Sequence, residues 1–485
     1  MFTSNTVDIL KSFDKSELKR FGDFIKSPYF NNSKPLEKIF DVVQKSYPSL
    51  EEDSLSFKKV FKKLYPSEIY SEKRIKNLYS DFSNLLRRFL AHEYLTSNKE
   101  MTDVCITTEL IRKNLNNISE KIIAKSIKEN DDGLLSAADR FHYLYRMNEN
   151  HSLNLGLLRR HNSPEFLESD IELIEKLTVF FLTKILQLSF YDIMNHKFFK
   201  INENPILKEV AASIDTERII KYLELTENEY SSYLKIHYLF FYYTTHDISE
   251  ENYLELKKLI LETIRRVKKS DQNNFLTRMI HIVVSRLSLM NRKYYHDIIE
   301  FADLIHELQI FPEEDINAFN NGPFRDIFIT ALSLKKYDWA ENFLNEHMQH
   351  VNKELRRNSE NYCRGMLSFQ KGNFEESLNY LNEVKLIDIV EKLNIRFYYL
   401  MNYIELKSYE SALSAMQSLK QFIIENKDIP ESFSEGLQLS IKFFNEILKS
   451  CIKNEKVDEW IYKEAISTER FFQKQYIKDK MKSMI

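Results

Sequence analysis

The side chains best suited to metal chemistry in this 485-residue sequence are histidines, and the closest pair is His347 and His350 in the stretch EHMQH. On a helix, a spacing of three places both imidazoles on one face, where they could share a cation. No HExxH motif occurs in the sequence, and we interpret the pair as solvent-exposed polar residues at a helix end. His237 and His246 flank an aromatic run, where we expect them to make local hydrogen bonds. The sequence therefore predicts no metal site.

A nucleophilic thiol is the next chemistry to consider. Cys363 is followed by Arg364, whose charge could lower the thiol pKa. A nucleophile also needs a correctly placed base, and the sequence indicates none. Cys105, Cys363 and Cys451 are far apart and form no CxxC pair, which indicates neither a disulfide framework nor a cysteine zinc site. We therefore expect ordinary thiols in a reducing cytosol.

Phosphate-binding loops need glycines at short, fixed spacing. The closest glycines here, Gly365 and Gly372, are seven residues apart, so neither GxGxxG nor GxxxxGK[ST] can occur. Nucleotide binding through either motif is excluded. With no catalytic residue and no cofactor indicated, the sequence favours a protein that is not an enzyme.

A basic stretch between Leu55 and Lys76 could contact nucleic acid, because aromatic residues interleave with its cations. Its basic residues are Lys58, Lys59, Lys62, Lys63, Lys73, Arg74 and Lys76. Helical spacing turns Phe57 and Phe61 inward, away from the lysines. A solvated lysine face on a packed helix is the commoner outcome, so nucleic-acid contact is the lesser of the two interpretations.

Composition indicates the elements that must position these residues. Only 7 Gly and 9 Pro occur in the chain, and these residues punctuate tight turns and strand ends. The hydrophobic fraction of 43% is enough for a packed core, and no strand pattern stands out. We therefore predict an all-α protein of long helices joined by short connections. A net charge of −3 gives no overall attraction to nucleic acid or anionic lipid.

A repeat is visible towards the C-terminus, where three segments align on an aromatic residue at the start of a predicted second helix. The aromatic residues are Tyr337, Phe374 and Tyr409, each followed after three residues by a small one, Ala340, Ser377 and Ala412. The next apolar positions are Leu344, Leu381 and Met416. This pattern, with a period near 34, resembles the tetratricopeptide family, and one copy keeps the family's two glycines at Gly365 and Gly372. The resemblance implies an α-solenoid of helix pairs.

In that family the first helices of the pairs line a concave face, which is an extended groove for a protein or peptide. The groove-facing candidates by this resemblance are Arg325, Ile329, Tyr362, Met366, Phe369, Asn394, Phe397 and Met401. Met366, Phe369 and Met401 could equally belong to the core between repeats, whereas Arg325 and Tyr362 fit the groove better, as does Asn394. Helices from Ser434 onward could leave this groove open or fill it.

The N-terminal segment carries a second resemblance. Its SPYFN break at Ser27, the KKLYP sequence that starts at Lys62 and the helix RIKNLYSDFSNLLRRFL from Arg74 resemble an uncharacterised family from Bacteroidota-type bacteria. That family has no activity to carry over. The resemblance implies a bacterial setting.

These patterns predict four regions. They are a helical N-terminal unit over 1–98, polar connecting helices over 99–133, an irregular helical array over 134–315, and tetratricopeptide-like repeats with C-terminal helices over 316–485. The most apolar stretches, Val179 to Leu182 and Tyr238 to Tyr243, are shorter than the roughly 18 residues of a membrane helix. The N-terminus has no signal-peptide pattern. We therefore expect a cytoplasmic protein without a membrane partner.

Two functions remain in view. The first is a non-catalytic scaffold that binds a protein or peptide on the concave face of the helical repeats. The alternative is a bacterial regulator, whose N-terminal helical unit contacts nucleic acid while the repeats sense a peptide or protein.

Overall fold

The protein, seen in a computed structural model, is built of α-helices. The structure describes residues 4–51, 55–129, 138–199, 202–284, 292–310, 321–385, 389–426, 429, 431–468 and 471–485. These ranges contain 24 α-helices and no strand, and the helical content is 82%. The predicted all-α class is confirmed.

The first nine helices extend to residue 199. They are α1 (Ser4–Ser12), α2 (Lys15–Lys26), α3 (Lys34–Ser46), α4 (Phe57–Leu64), α5 (Glu72–Ser97), α6 (Lys99–Arg112), α7 (Asn116–Glu129), α8 (Ala138–Leu157) and α9 (Pro164–Phe199).

The remaining helices are shorter on average and follow one another closely. They are α10 (Pro205–Ser213), α11 (Thr216–Leu225), α12 (Ser231–Thr245), α13 (Glu250–Thr263), α14 (Lys269–Ile282), α15 (Tyr295–Glu307), α16 (Asn321–Ser333), α17 (Tyr337–His347), α18 (Lys353–Gln370), α19 (Phe374–Asn382), α20 (Ile389–Glu405), α21 (Tyr409–Glu425), α22 (Glu431–Lys453), α23 (Glu459–Ser467) and α24 (Lys474–Lys482).

The chain divides into two compact units. Unit 1 comprises Met1–Asn130 and Tyr143–Leu173, and unit 2 comprises Asp131–His142 and Ile174–Ile485. Long helices α8 and α9 contribute residues to both. Each unit is described by itself below.

Unit 1 begins with helices whose starts follow from local chemistry. Asp14 caps α2: its carboxylate accepts from the backbone N–H of Glu17 at 2.7 Å, and the Glu17 side chain accepts from the N–H of Asp14 at 2.7 Å. This reciprocal pair is a capping box, which satisfies two backbone N–H groups at the start of the helix. The hydroxyl of Ser71 caps α5 by accepting from the N–H of Arg74.

The core of α1 to α5 is an aromatic cluster centred on Phe21. Its ring lies 5.6 Å from those of Phe40 and Phe82 and 5.1 Å from that of Phe89, centroid to centroid. Helices α2 and α3 cross closely at Gly22, where an added Cβ would lie 2.6 Å from Phe40 Cε1. Edge-to-face packing of this kind adds to the free energy of burying the rings.

Unit 2 contains the predicted repeat, and the predicted helix starts are confirmed. Helices α17, α19 and α21 begin at Tyr337, Phe374 and Tyr409. The small and apolar positions of the repeat are all buried, namely Ala340, Ser377, Ala412, Leu344, Leu381 and Met416. Each pair forms a helical hairpin, and α18 also packs against α16 and α20.

The turn inside each pair has the same geometry in all three copies. Gly372 has a φ of 83°, and Lys335 and Lys407 have φ values of 57° and 58° at the equivalent positions. The next backbone N–H in each turn donates back to a carbonyl five residues earlier, at 2.8–2.9 Å. This arrangement is the Schellman end of a helix, which favours glycine because a Cβ is disfavoured at positive φ. The two lysines therefore occupy strained positions.

Gly365 permits the closest crossing within a pair. A Cβ added there would lie 2.7 Å from both Cγ and Cδ2 of Leu381, on the second helix of the same hairpin. The glycine is therefore required by the distance between α18 and α19, as the resemblance implied.

Helix α9 differs from expectation. Among the described residues, its segment Pro164–His196 is long and apolar enough to cross a membrane by length and composition, with one third of its most apolar window buried. The expectation rested on the short length of the uninterrupted apolar runs, whereas the apolar residues of α9 are spread along the whole helix. Core helices of water-soluble proteins pass the same test. Four apolar residues of this helix are exposed, namely Leu167, Ile171, Ile174 and Leu177.

Candidate functional site

A cavity of about 580 Å³ lies between the first helices of the three pairs and the C-terminal segment of unit 2. Its walls come from α16, α18 and α20 on one side and from residues 471–483 on the other. The volume falls in the range of ligand-binding pockets in proteins. We call it the repeat cavity.

Five of the eight residues predicted to face a groove line the repeat cavity. They are Ile329, Met366, Phe369, Asn394 and Met401. Three of these residues had been assigned equally to the groove and to the core between repeats, namely Met366, Phe369 and Met401. They form part of the cavity wall and also belong to the core, since 7% or less of each is exposed. Asn394 is half-buried and supplies a polar group to the same wall.

The other three predicted residues do not line the cavity among its described walls. Tyr362 is only 2% exposed, and its hydroxyl accepts from Nδ2 of Asn394 at 3.3 Å. Burial raises the pKa of Tyr362. Phe397 is fully buried, with its ring stacked 5.8 Å from that of Phe444. Because α18 and α20 are covered by neighbouring helices on more than one side, residues expected to face the groove are part of the core instead.

Arg325 forms an internal ion pair rather than a groove-facing cation. Its Nη1 lies 3.1 Å from Oε1 of Glu391, and the two side chains are 17% and 4% exposed. The pair joins α16 to α20 across two repeats. The two charges are largely removed from water, so their mutual attraction favours the arrangement in which α16 and α20 bring them together.

The C-terminal helix α24 is tied to the repeats through Glu405, the last residue of α20. The hydroxyl of Tyr476 donates to Glu405 Oε1 at 2.7 Å, and Nζ of Lys480 lies 3.0 Å from Oε2. The ring of Tyr476 also packs 5.8 Å from that of Phe369. Burial and the carboxylate of Glu405 raise the pKa of Tyr476, so its hydroxyl is a permanent donor at neutral pH.

The segment before α24 is anchored as well. Ser440 Oγ lies 2.8 Å from the backbone N of Phe472 and 3.0 Å from its backbone O. The ring of Phe472 stacks 5.8 Å from that of Phe397. The C-terminal segment thus packs against α22 and α20 beside the repeat cavity. The sequence did not indicate the contact between Glu405 and Tyr476, because these residues are 71 positions apart.

Three lysines, Lys335, Lys474 and Lys480, line the repeat cavity beside two carboxylates, Glu405 and Asp479. Lys480 is paired with Glu405. An apolar wall beside lysine side chains suits a ligand that combines an apolar side chain with an acidic group.

The basic stretch of unit 1 lies at the surface, and all seven of its cations are exposed. Arg74 is paired with Glu68, and Lys76 is paired with Glu72 at 2.7 Å. Phe61 is 2% exposed, so the inward orientation predicted for it is confirmed. The ring of Phe61 is therefore unavailable as a stacking platform beside the lysines.

The histidines and the thiol behave differently from one another. The Nδ1 atom of His246 lies 2.9 Å from Thr245 Oγ1, as expected for a local hydrogen bond. His237 is fully buried, and neither ring nitrogen has a hydrogen-bond partner among the described residues, so the predicted local hydrogen bond was wrong for His237.

Burial raises the pKa of Cys363, whereas the neighbouring arginine was expected to lower it. Its thiol is not activated.

His347 was expected to be exposed, and this was wrong. It is the last residue of α17 and is only 8% exposed, because the rings of Phe343 and His306 pack against it at 4.9 and 5.2 Å. The ring of His350 is 6.2 Å away. Burial and the neighbouring His306 lower the pKa of His347 to about 4.

Comparison of the chain with protein-family models, with curated proteins and with solved structures found no significant match in any of the three.

Proposed function

We propose that unit 2 is an α-solenoid of tetratricopeptide-like helix pairs that binds a protein or peptide in the repeat cavity, without catalysis. The observation that carries this proposal is the cavity itself, of about 580 Å³, lined by the first helices of three consecutive pairs. Five residues chosen from the repeat pattern line it, which links the repeat to the site.

The solenoid part of the proposal is supported by the recurrence of one hairpin three times. The turn at Gly372 recurs at Lys335 and Lys407, each with a positive φ, and the second helices all begin at the repeat's aromatic residue. Repeated hairpins stacked in this way produce an extended face to which each repeat contributes side chains.

The partner is a peptide segment that presents an apolar side chain next to a carboxylate. Met366, Phe369 and Met401 form the apolar wall, and methionines adapt to different side-chain shapes. Lys335 at the rim supplies a positive charge for the acidic group. The cavity accommodates a few side chains, so the rest of the partner would lie outside it.

A displayed random-peptide library tests this proposal. Peptides are selected on the intact chain and then measured against Ile329→Trp, which fills the cavity, and against Ile424→Trp, which adds the same bulk at a residue that is 77% exposed on α21. The proposal predicts acidic, apolar peptides that lose at least about tenfold in affinity on Ile329→Trp and none on Ile424→Trp. Equal binding to both variants would exclude the cavity as the site.

The regulator alternative is less well supported. Its basic surface is exposed, but Arg74 and Lys76 are engaged by Glu68 and Glu72, and the buried ring of Phe61 is unavailable for base stacking. We therefore favour the scaffold, placed in the cytoplasm of a bacterial cell.

A further inference from the structure

Three side chains able to bind a metal ion meet at the end of α17 in unit 2. The ligand atoms of His306, Glu346 and His347 all lie within 4.8 Å of one another. The distance from His347 Nε2 to Glu346 Oε2 is 3.9 Å. His306 and Glu346 are exposed, whereas His347 is buried. The cluster lies outside the repeat cavity and is independent of the function proposed for it.

The fold brings these residues together although His306 and His347 are 41 positions apart. His306 lies in the last turn of α15, and His347 is the last residue of α17. The indole Nε1 of Trp339 on α17 donates to Asp303 Oδ1 on α15 at 3.3 Å. Helix α15 ends one turn after Asp303, and α17 ends two turns after Trp339, so the two helices end side by side. A cation is favoured there because the negative ends of both helix dipoles converge.

We propose that His306, His347 and Glu346 form a binding site for a divalent transition-metal ion of the zinc type. Two imidazoles and one carboxylate are a ligand set that zinc uses in proteins, with a fourth position left for water or a partner's side chain. Hard cations such as Ca²⁺ and Mg²⁺ are disfavoured, since they prefer sites made of oxygen ligands.

The geometry requires only small movements to close on a metal. Ligand atoms of a tetrahedral zinc site stand about 3.3 Å apart, given bonds of roughly 2.0–2.1 Å. The exposed side chains of His306 and Glu346 can rotate to cover the difference, while His347 is held by its contact with the ring of Phe343 at 4.9 Å. One fixed ligand and two adjustable ones fit a site that forms as the metal binds.

Metal titration of the tag-free, EDTA-stripped chain tests the site. ZnCl₂ is followed by isothermal titration calorimetry, and CoCl₂ by the visible absorption of a low-symmetry Co(II) site. We expect one saturable zinc site per chain. His306→Ala and Glu346→Gln should each weaken binding by more than about tenfold. Both side chains are exposed, so these variants should fold.

His246→Ala is the matched control, because this histidine is also exposed and lies elsewhere in unit 2. It should leave the zinc affinity unchanged. Absence of saturable binding by the parent chain, or wild-type affinity in either His306→Ala or Glu346→Gln, would overturn the proposal.

Discussion

The hydroxyl of Tyr476 lies 2.7 Å from Oε1 of Glu405, and this hydrogen bond holds the C-terminal helix against the end of α20. Lys480 binds the other oxygen of the same carboxylate at 3.0 Å. Glu405 thus ties α24, which forms one wall of the repeat cavity, to α20 through two partners.

Replacement of Tyr476 by phenylalanine should loosen α24. The change removes a hydrogen bond to a charged acceptor, worth about 1.5–3 kcal/mol, while it keeps the ring against Phe369. Amide hydrogen exchange over 474–482 should become faster. Tyr462→Phe is the control, because its hydroxyl has no hydrogen-bond partner among the described residues. Unchanged exchange in Tyr476→Phe would show that the bond to Glu405 does not hold the helix.

Glycine at the strained turn positions should stabilise the repeats. Lys335 and Lys407 have a positive φ, as Gly372 does in the turn of the middle pair. Lys335→Gly and Lys407→Gly should each raise the free energy of unfolding by roughly 0.5–1 kcal/mol in urea denaturation. Lys336→Gly, one position along with a φ of −88°, should lower it by a similar amount. If all three glycine variants lowered the free energy of unfolding, backbone strain at Lys335 and Lys407 would not be the feature that sets them apart from Lys336.

The crossing of α18 and α19 should not tolerate a side chain at Gly365. A methyl group there would lie 2.7 Å from Leu381, so Gly365→Ala should cost about 1–3 kcal/mol in the free energy of unfolding. The double variant Gly365→Ala with Leu381→Ala should be less unstable than the sum of the two single variants, because the smaller partner makes room. Strict additivity in this cycle would contradict the close crossing.

The ion pair between Arg325 and Glu391 should be more costly to break than to replace. Arg325→Met leaves a carboxylate that is 4% exposed without its cation, and the expected loss is about 3–5 kcal/mol. Arg325→Met combined with Glu391→Leu should recover most of that loss in a thermal or urea melt. If the double variant were as unstable as Arg325→Met alone, the loss would not come from leaving Glu391 without the charge of Arg325.

Stability should fall as the pH is lowered through the titration of His237. Burial and the nearby charges of Arg278 and Lys184 lower the pKa of His237 far below its ordinary value. From about pH 7 downwards the unfolded ring takes up a proton near pH 6.5 while the folded ring stays neutral, so protons stabilise the unfolded state. His237→Phe should reduce the fall in the free energy of unfolding as the pH is lowered from about 7, measured by urea denaturation at several pH values, and an unchanged pH dependence would contradict this account.

Much of unit 2 could be predicted because its signals are local. The helix starts at Tyr337, Phe374 and Tyr409 follow from periodicity, and the need for Gly365 follows from its place in the repeat. Which side of a first helix is covered depends on its neighbours, so the burial of Tyr362 was not predictable from spacing.

Contacts between distant segments were beyond the sequence for the same reason. Nothing in the pattern around His347 indicated that His306 lies beside it, since their proximity depends on two helices from different parts of the chain ending together. The bond from Tyr476 to Glu405 is likewise a product of tertiary packing.

Hydrogen exchange of the intact chain with and without a library-selected peptide tests the central proposal most directly. Binding in the repeat cavity predicts slower exchange in 329–337, 366–370 and 394–405, the segments that line it. It also predicts a change in 474–482, on the opposite wall. Protection confined to the second helices α17, α19 and α21, or to unit 1, would contradict the assignment of the repeat cavity as the binding site.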